Sequence, residues 1–364
     1  MSLRGGVFFA SAAATAWVLV GYPLSLAIGR ARPWRKGTRT PMISLIIPAL
    51  HERETLPLKL SALSSLDYPA ERLQVVVAID DDAELLRRAH RVFPAATFLF
   101  SAERGGKAKA LNRALAAATG DVVVVTDANN VLERSSLRAA VRHFEDPQIS
   151  AVAGRRGEVG SAYDRYEDVL RRLESRTGSV AAASGEFVAI RRSRLPEWPT
   201  AVVNDDFWLL CELVRSGGRV VYDPAAASIE PGLAPAAEVA RRSRIAAGRA
   251  MLLSELRGLP WRFRMRLISH KYGRLAIPFL LVAGFTSSLS LARQERYRRL
   301  VAWQAGAYSL GVLGAAGFAP RGRAGAVMRA AGQFMVGNWA VAVGVVRALR
   351  GQQGVRWQPI ERPP

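Results

Sequence analysis

The chain has a single cysteine, Cys211, in 364 residues. One thiol cannot close an internal disulfide or furnish a cysteine-rich zinc site. It lies in an apolar helical pattern and reads as core filling. Acidic residues are also scarce, 30 Asp and Glu against 51 Lys and Arg, which leaves a formal net charge of +21. Such an excess points to nucleic acid, anionic lipid or an anionic small substrate. The basic residues are not interleaved with aromatics in a compact module, which argues against nucleic acid as a partner. Many stand instead beside long apolar runs, as the positive-inside rule expects. Half of the residues are hydrophobic, a high share for a soluble enzyme. The length suffices for one large domain plus further elements.

Residues 7–28 are apolar apart from small hydroxyls, with Trp17 and Tyr22 among them. At about 1.5 Å per residue such a helix reaches roughly 30 Å, one hydrocarbon core. Arg30, Arg32, Arg35, Lys36 and Arg39 follow it and only Arg4 precedes it. That asymmetry predicts an outside N-terminus and a cytoplasmic domain behind it. A cleaved signal peptide is the alternative, but the apolar run is long for one and its charge lies on the wrong side. Towards the other end, residues 275–292, 300–319 and 326–349 are apolar and rich in Gly and Ala, with basic clusters between them. Two or three of these are expected to span, with Pro278 kinking the first. Two spans plus an interfacial segment would keep the C-terminus inside. The predicted organisation is a transmembrane helix over 1–30, an α/β domain over 40–235, basic amphipathic or interfacial helices over 236–274, transmembrane segments over 275–350 and a tail over 351–364.

Between the apolar ends, strand and helix alternate. Residues 43–47 and 73–79 read as strands, 83–92 as a helix, 97–100 as a strand, 107–118 as a helix and 149–153 as a strand. This alternation predicts a mostly parallel sheet with crossover helices. The stretch that organises the rest is Asp121-Val122-Val123-Val124-Val125-Thr126-Asp127-Ala128-Asn129-Asn130. Four consecutive valines favour a short strand buried on both faces. Asp127 and Asn129 follow at its carboxyl end, where open α/β sheets bind ligands. Hard cations take oxygen ligands, so these two could hold a divalent metal against a diphosphate. An Asx-rich turn is the other reading, and these ten residues leave both open.

Three further stretches carry candidate chemistry. Gly105-Gly106-Lys107 before an Ala-rich helix could cradle an anion at a helix N-terminus, or be a Gly-Gly turn with a solvated lysine. Asn204-Asp205-Asp206 opens a helix over 207–215 that Gly217 and Gly218 stop. The macrodipole favours a carboxylate there by about 0.3–1 kcal/mol, which accounts for one Asp without requiring two. An Asp facing a cleft could be a general base. On the basic helix over 238–255, Arg241 and Arg244 share a face, and the planar guanidinium suits phosphate. Lying on anionic lipid is the alternative for that helix.

In this order the motifs resemble membrane-bound family 2 glycosyltransferases, the group that includes cellulose, hyaluronan and poly-N-acetylglucosamine synthases. Ser44-Leu45-Ile46-Ile47-Pro48-Ala49-Leu50-His51-Glu52 looks like that family's opening strand and nucleotide loop. Asp80 matches its base-contacting aspartate. Gly106-Lys107 through Leu111-Asn112 is similar to its Gly-Lys…Leu-Asn segment. Thr126-Asp127-Ala128-Asn129 occupies the place of the metal-binding DxD, and residues 184–192 that of the acceptor-side strand. Asn204-Asp205-Asp206 stands where the family has Thr-Glu-Asp. The resemblance implies a GT-A (Rossmann-like nucleotide-diphospho-sugar transferase) catalytic domain with Asp206 as base and Asp205 beside it. Pro48, Ala49, Glu52, Asp80, Lys107, Asp127, Arg241 and Arg244 would bind a nucleotide-sugar donor, a UDP-sugar. Asp127 and Asn129 would bind Mg²⁺ or Mn²⁺. The acceptor would be a lipid or glycan, and the enzyme would be integral to the cytoplasmic membrane with its catalytic domain in the cytoplasm. Asn129 replaces the second aspartate of DxD, so a metal rests more on Asp127 and the diphosphate. Arg241-Arg242-Ser243-Arg244-Ile245 stands where processive synthases carry Gln-x-x-Arg-Trp, and the missing tryptophan argues for single transfer over polymer synthesis. The remaining alternatives are a processive polysaccharide synthase and a non-catalytic basic membrane scaffold.

Overall fold

A computed structural model describes residues 2–157, 162–183, 185–230, 235–352 and 354. Most of the expected tail over 351–364, and Ser184 of the expected acceptor-side stretch, lie outside the described residues. The chain opens on α1 (Leu3–Ala16), which passes through a π-turn (Trp17–Gly21) into α2 (Tyr22–Ala27). Next come β1 (Ile43–Ala49), α3 (Thr55–Ala62), β2 (Leu73–Asp80), α4 (Ala83–Val92), β3 (Thr97–Ser101), α5 (Lys107–Ala117) and β4 (Val122–Val125). β5 (Val131–Leu132), α6 (Ser136–Val141), β6 (Ile149–Arg156), α7 (Ala162–Thr177), β7 (Val188–Arg191), α8 (Asp205–Arg215) and β8 (Arg219–Ile229) complete the sheet and its helices. α9 (Pro235–Met251) follows. α10 (Trp261–Leu267) continues through a second π-turn (Ile268–Tyr272) into α11 (Gly273–Ser290), and α12 (Glu295–Ala315) and α13 (Arg323–Leu349) come last.

The strands form one sheet in the order β3-β2-β1-β4-β7-β6-β8-β5. β3, β2, β1 and β4 are parallel, as strand–helix alternation predicts. Beyond β4 the sheet is mixed, because β7 is inserted antiparallel to both β4 and β6. β8 is eleven residues long and runs on past Pro224. Pro224 has no N–H for the ladder. The pairing steps from Gly154↔Asp223 to Arg155↔Ala227, so a bulge absorbs the proline and the strand resumes.

Alternation along the strands feeds two cores. Val122 and Val124 pack with Ile43, Leu45 and Ile47 on one face, with Leu56, Leu60 and Leu137 above them. Val123 and Val125 pack on the other with Ile46, Leu111, Leu210 and Cys211. All four valines of β4 are buried, so this strand carries apolar side chains on both faces, and the polar residues that follow it are the first that can meet solvent or ligand. Phe263 and Leu267 of α10 enter the second core, which seats the start of the long C-terminal helix in the α/β domain.

Among the described residues two continuous helices are long and apolar enough to cross a membrane, Leu3–Ala27 and Trp261–Ser290. They lie antiparallel. The Ser287 hydroxyl donates to the Arg4 carbonyl, and a Cβ on Gly273 would stand 2.6 Å from Val18 Cγ2. α12 and α13 do not meet the same test of length and apolarity. α13 lies along α9 and α12.

Candidate active site

The site assembles at the carboxyl end of β4. Thr126 is fully buried and its hydroxyl donates to the Glu186 carbonyl at 2.8 Å. Lys59 of α3 reaches in from that helix, donating to Thr126 Oγ1 (2.9 Å), Asn130 O (2.9 Å) and Asn130 Oδ1 (2.7 Å). Burial pulls its ammonium down to about 7. This buried knot fixes both ends of the turn, and Asp127 and Asn129 project from it half-buried.

The turn into α5 supplies the opposing cation. Gly106 has φ +88, a left-handed conformation that favours glycine. Asp80 at the end of β2 is fully buried and holds this turn. Its Oδ2 accepts from the Gly105 and Gly106 N–H groups at 2.9 and 3.1 Å, and its Oδ1 from Arg113 at 2.7 Å. The two neighbouring aspartates divide the remaining work. Asp82 caps α4 through Leu85 N at 2.9 Å and binds Arg53 at 2.8 Å. Asp81 has φ +50 and half of its side chain is exposed. Of the triplet, Asp81 is thus the carboxylate that faces outward.

Lys107, the first residue of α5, joins two distant stretches. Its Nζ lies 2.9 Å from Asp127 Oδ1 and 3.4 Å from Asp205 Oδ2. Burial alone would lower this ammonium, but Asp127, Asp205 and Asp206 outweigh it and hold it above the ordinary lysine range. Asp127 and Asp206 are 79 positions apart in sequence, and one lysine feels both. Asp206 lies in the first turn of α8, accepting from the Phe207 N–H at 2.7 Å. Burial and then Asp205 raise its carboxyl, against the pull of Arg249 and Lys107. A half-desolvated carboxylate with a raised pKa in a cleft has the properties of a general base.

The expected donor residues fall into groups. Pro48 and Ala49 are buried at the end of β1, and Glu52 Oε2 accepts from the Leu50 N–H just beyond. Arg241 is held by Glu238 through Nε at 2.9 Å and Nη2 at 3.0 Å. It lies near Glu186, which burial raises to about 7 and which also feels Asp127. Arg244 is half-buried on α9 with no ion pair among the described residues. Arg249, not singled out by the sequence pattern, is the arginine of α9 whose charge acts on Asp206. Burial pulls its guanidinium below the usual range, and Asp206 is its first opposing influence. Gly185 and Glu186 lie in the stretch 184–192 that resembles the family's acceptor-side strand, although the sequence pattern names neither as a site residue.

Residues 41–249 match the family described as glycosyltransferase like family 2. The chain belongs to the family 2 glycosyltransferases. It is 24% identical over 259 residues to a probable glycosyltransferase, YdaM, of Bacillus subtilis, covering 62% of each chain. It is 25% identical over 202 residues to the poly-beta-1,6-N-acetyl-D-glucosamine synthase of Staphylococcus aureus, covering 50% of this chain and 48% of that one. The chain thus spans between about half and three-fifths of the length of these curated relatives. Among solved structures it is similar to the mannosyltransferase PcManGT from Pyrobaculum calidifontis in complex with GDP-Man and Mn²⁺, with TM-score 0.79 and 25% identity. That likeness covers 96% of this chain and 100% of that one. This family 2 glycosyltransferase therefore has a GT-A α/β domain and is a transferase.

The fold implies a divalent cation. Asp127 offers one carboxylate and Asn129 one amide oxygen, and among the described residues no group of three or more His, Cys, Asp or Glu side chains could hold an ion. That sparse set suits an ion of the Mg²⁺ or Mn²⁺ kind, which takes few protein oxygens and completes its shell with phosphate and water. Gly185 leaves the room. A Cβ there would stand 3.3 Å from Lys107 Nζ and 3.8 Å from Asp127 Oδ2.

Proposed function

We propose that this glycosyltransferase moves one sugar from a nucleotide-diphosphate donor, a UDP-sugar, to a hydroxyl of a membrane-held lipid or glycan acceptor, with inversion at the anomeric carbon. The supporting observation is the Lys107 bridge, 2.9 Å to Asp127 and 3.4 Å to Asp205, which joins the β4 end to the α8 N-terminus. Asp206 takes the acceptor's proton as that oxygen bonds to the anomeric carbon and the bond to the diphosphate breaks. Lys107 and Arg241 meet the charge that grows on the leaving diphosphate; preorganised charge of this kind is often the largest catalytic term. A divalent cation held by Asp127 and Asn129, when bound, adds Lewis-acid stabilisation of that diphosphate. Pro48, Ala49 and Glu52 hold the nucleoside, with Asp81 on the open side of the turn that Asp80 braces.

GDP-mannose is the second reading for the donor. PcManGT, whose likeness runs over 96% of this chain, is described with GDP-Man and Mn²⁺. The membrane setting rests on the two helices Leu3–Ala27 and Trp261–Ser290 and on the basic stretch after the first. The test is transfer by the purified full chain in neutral nanodiscs, screened for metal-dependent turnover of UDP- and GDP-sugars. Turnover of a UDP-sugar, abolished by EDTA and restored by Mn²⁺ or Mg²⁺, is expected. Turnover of GDP-mannose alone selects the second donor. Product longer than one added sugar would make the enzyme a processive synthase. Absence of any UDP or GDP affinity in a Mn²⁺ titration would leave a basic membrane scaffold.

A further inference from the structure

Around Tyr163 at the start of α7 the charges do not balance. Arg242 stacks its guanidinium 5.6 Å from the ring centroid and Arg274 stacks 5.5 Å away, while Arg274 Nη1 donates to the tyrosine hydroxyl at 3.0 Å. Arg249 is seven residues on from Arg242, on the same face of α9, and its charge is felt by Tyr163, Glu167 and Asp206. The acidic partners nearby are already shared. Glu238 serves both Arg241 and Arg242, and Glu167 serves Arg274 and Lys271. Arg249 Nε and Arg274 Nη2 are buried without a hydrogen-bond partner. A buried guanidinium N–H without an acceptor is unfavourable, so donors here await an acceptor. The cluster is nevertheless open on one side, with Tyr163 46% exposed. It stands where α11 leaves the α/β domain, beside α13, where a Cβ on Gly337 would come within 3.2 Å of Arg242 Nη1.

We propose that Arg242, Arg249 and Arg274 around Tyr163 form an anion seat for a phosphate or diphosphate group on the acceptor, a lipid whose headgroup offers its hydroxyl to Asp206. The proposal rests on Asp206 being the base, and it names the class of acceptor. The guanidinium fork suits phosphate oxygens. One feature favours a lipid as the source: the seat is built partly from a helix long and apolar enough to span. Arg249 links the seat to the proposed base. Free phosphate shares the chemistry and is separated by experiment.

The probes are dodecyl phosphate, dodecanol and inorganic phosphate, titrated by thermophoresis into the full chain in neutral nanodiscs, with UDP or GDP plus Mn²⁺ titrated into the same samples. Dodecyl phosphate is expected to bind, and dodecanol to bind at least about ten-fold more weakly. Arg242→Gln and Arg274→Gln should each weaken dodecyl phosphate at least about ten-fold while nucleotide affinity stays within two-fold. Arg298→Gln, on an exposed side chain far along the chain, should change nothing. Arg242→Gln guards against misfolding of the Arg274 variant, since 37% of the Arg242 side chain is exposed. Equal binding of dodecyl phosphate and dodecanol, or unchanged affinity in both variants, overturns the seat. Inorganic phosphate that competes as strongly as dodecyl phosphate overturns the lipid source. Loss of nucleotide binding with dodecyl phosphate binding intact overturns the donor reading and leaves the seat standing.

Discussion

At the scale of single residues, Asp206 carries two opposing demands. The α8 N-terminus and the Phe207 N–H favour its charge, whereas burial and the neighbouring Asp205 disfavour it and prevail. In the role proposed for it Asp206 works only when ionised, so turnover should fall as the pH drops through a pKa above the ordinary aspartate range. Arg249 opposes that rise. Arg249→Gln should therefore move the acid limb of the kcat/KM profile to higher pH, whereas a purely structural role would lower the profile without shifting it. Asp206→Asn should keep donor affinity and lose about 10²–10⁴ in turnover, read by radiolabelled-sugar transfer. At Asp127, asparagine should leave an enzyme that Mn²⁺ no longer rescues after EDTA at concentrations that restore the unsubstituted chain. Asp127, Asp205 and Lys107 stand out in sequence because each follows a strand end or opens a helix, and the structure joins them through Lys107. Arg249 was not. It shares its helix with other arginines, and only packing decides which of them acts on Asp206. Asp80 illustrates a subtler limit. Three adjacent aspartates look alike in sequence, yet the fold spends one on a turn, one on a cap and leaves one outward.

At the scale of elements, α7 connects the catalytic domain with both long apolar helices. Glu174 on α7 accepts from Tyr22 OH of α2 at 2.6 Å and from Ala181 N at 2.8 Å, and pairs with His270 Nδ1 at 2.7 Å in the turn before α11. Burial pushes this carboxyl up, but His270 and Arg266 overcome it and bring it down to about 2. A folded pKa below the unfolded value means stability that is present above the ordinary glutamate pKa and is lost as the pH falls towards about 2. Glu174→Ala strips a buried cluster of its anion and should cost on the order of 3–5 kcal/mol. Thermal unfolding in neutral nanodiscs, with limited proteolysis after residue 28, would register it as early release of the N-terminal helix. α13 docks differently. Gly344 meets α9 so closely that a Cβ would stand 2.2 Å from the Ser243 carbonyl oxygen. Gly344→Leu should part α13 from α9 and lower transfer, with the nucleotide affinity of the α/β domain retained in titration. The elements themselves were largely readable from apolar periodicity. The exceptions have local causes: Asp223-Pro224 looks like a strand end but is a bulge within β8, and β5 is too short for any period to show.

At the scale of the whole molecule, the apolar ends of the sequence were visible as runs, but their pairing was not, because helix–helix contacts in such segments depend on small residues and shape rather than pattern. The structure sets Leu3–Ala27 and Trp261–Ser290 antiparallel. If one crosses the membrane, the other therefore returns through it, and Arg4 and Arg293 emerge on the same side, opposite the catalytic domain. Charge supports this orientation at the domain end, where Arg30, Arg32, Arg35, Lys36 and Arg39 precede β1 and Arg257, Arg262, Arg264 and Arg266 precede α11. It is opposed by Arg293, Arg296, Arg298 and Arg299 beyond α11, which the positive-inside rule would keep in the cytoplasm. The single cysteine makes the question answerable. Cys211 is buried and its thiol is raised to about 12 by burial, so it should resist a membrane-impermeant maleimide and give little background. Lys36→Cys and Arg298→Cys both place a thiol on an exposed position. In intact cells the antiparallel arrangement requires Arg298→Cys to label at once and Lys36→Cys only after permeabilisation. Labelling of neither position before permeabilisation would mean that the pair lies on the membrane without crossing it, and that the four arginines beyond α11 follow the charge rule after all.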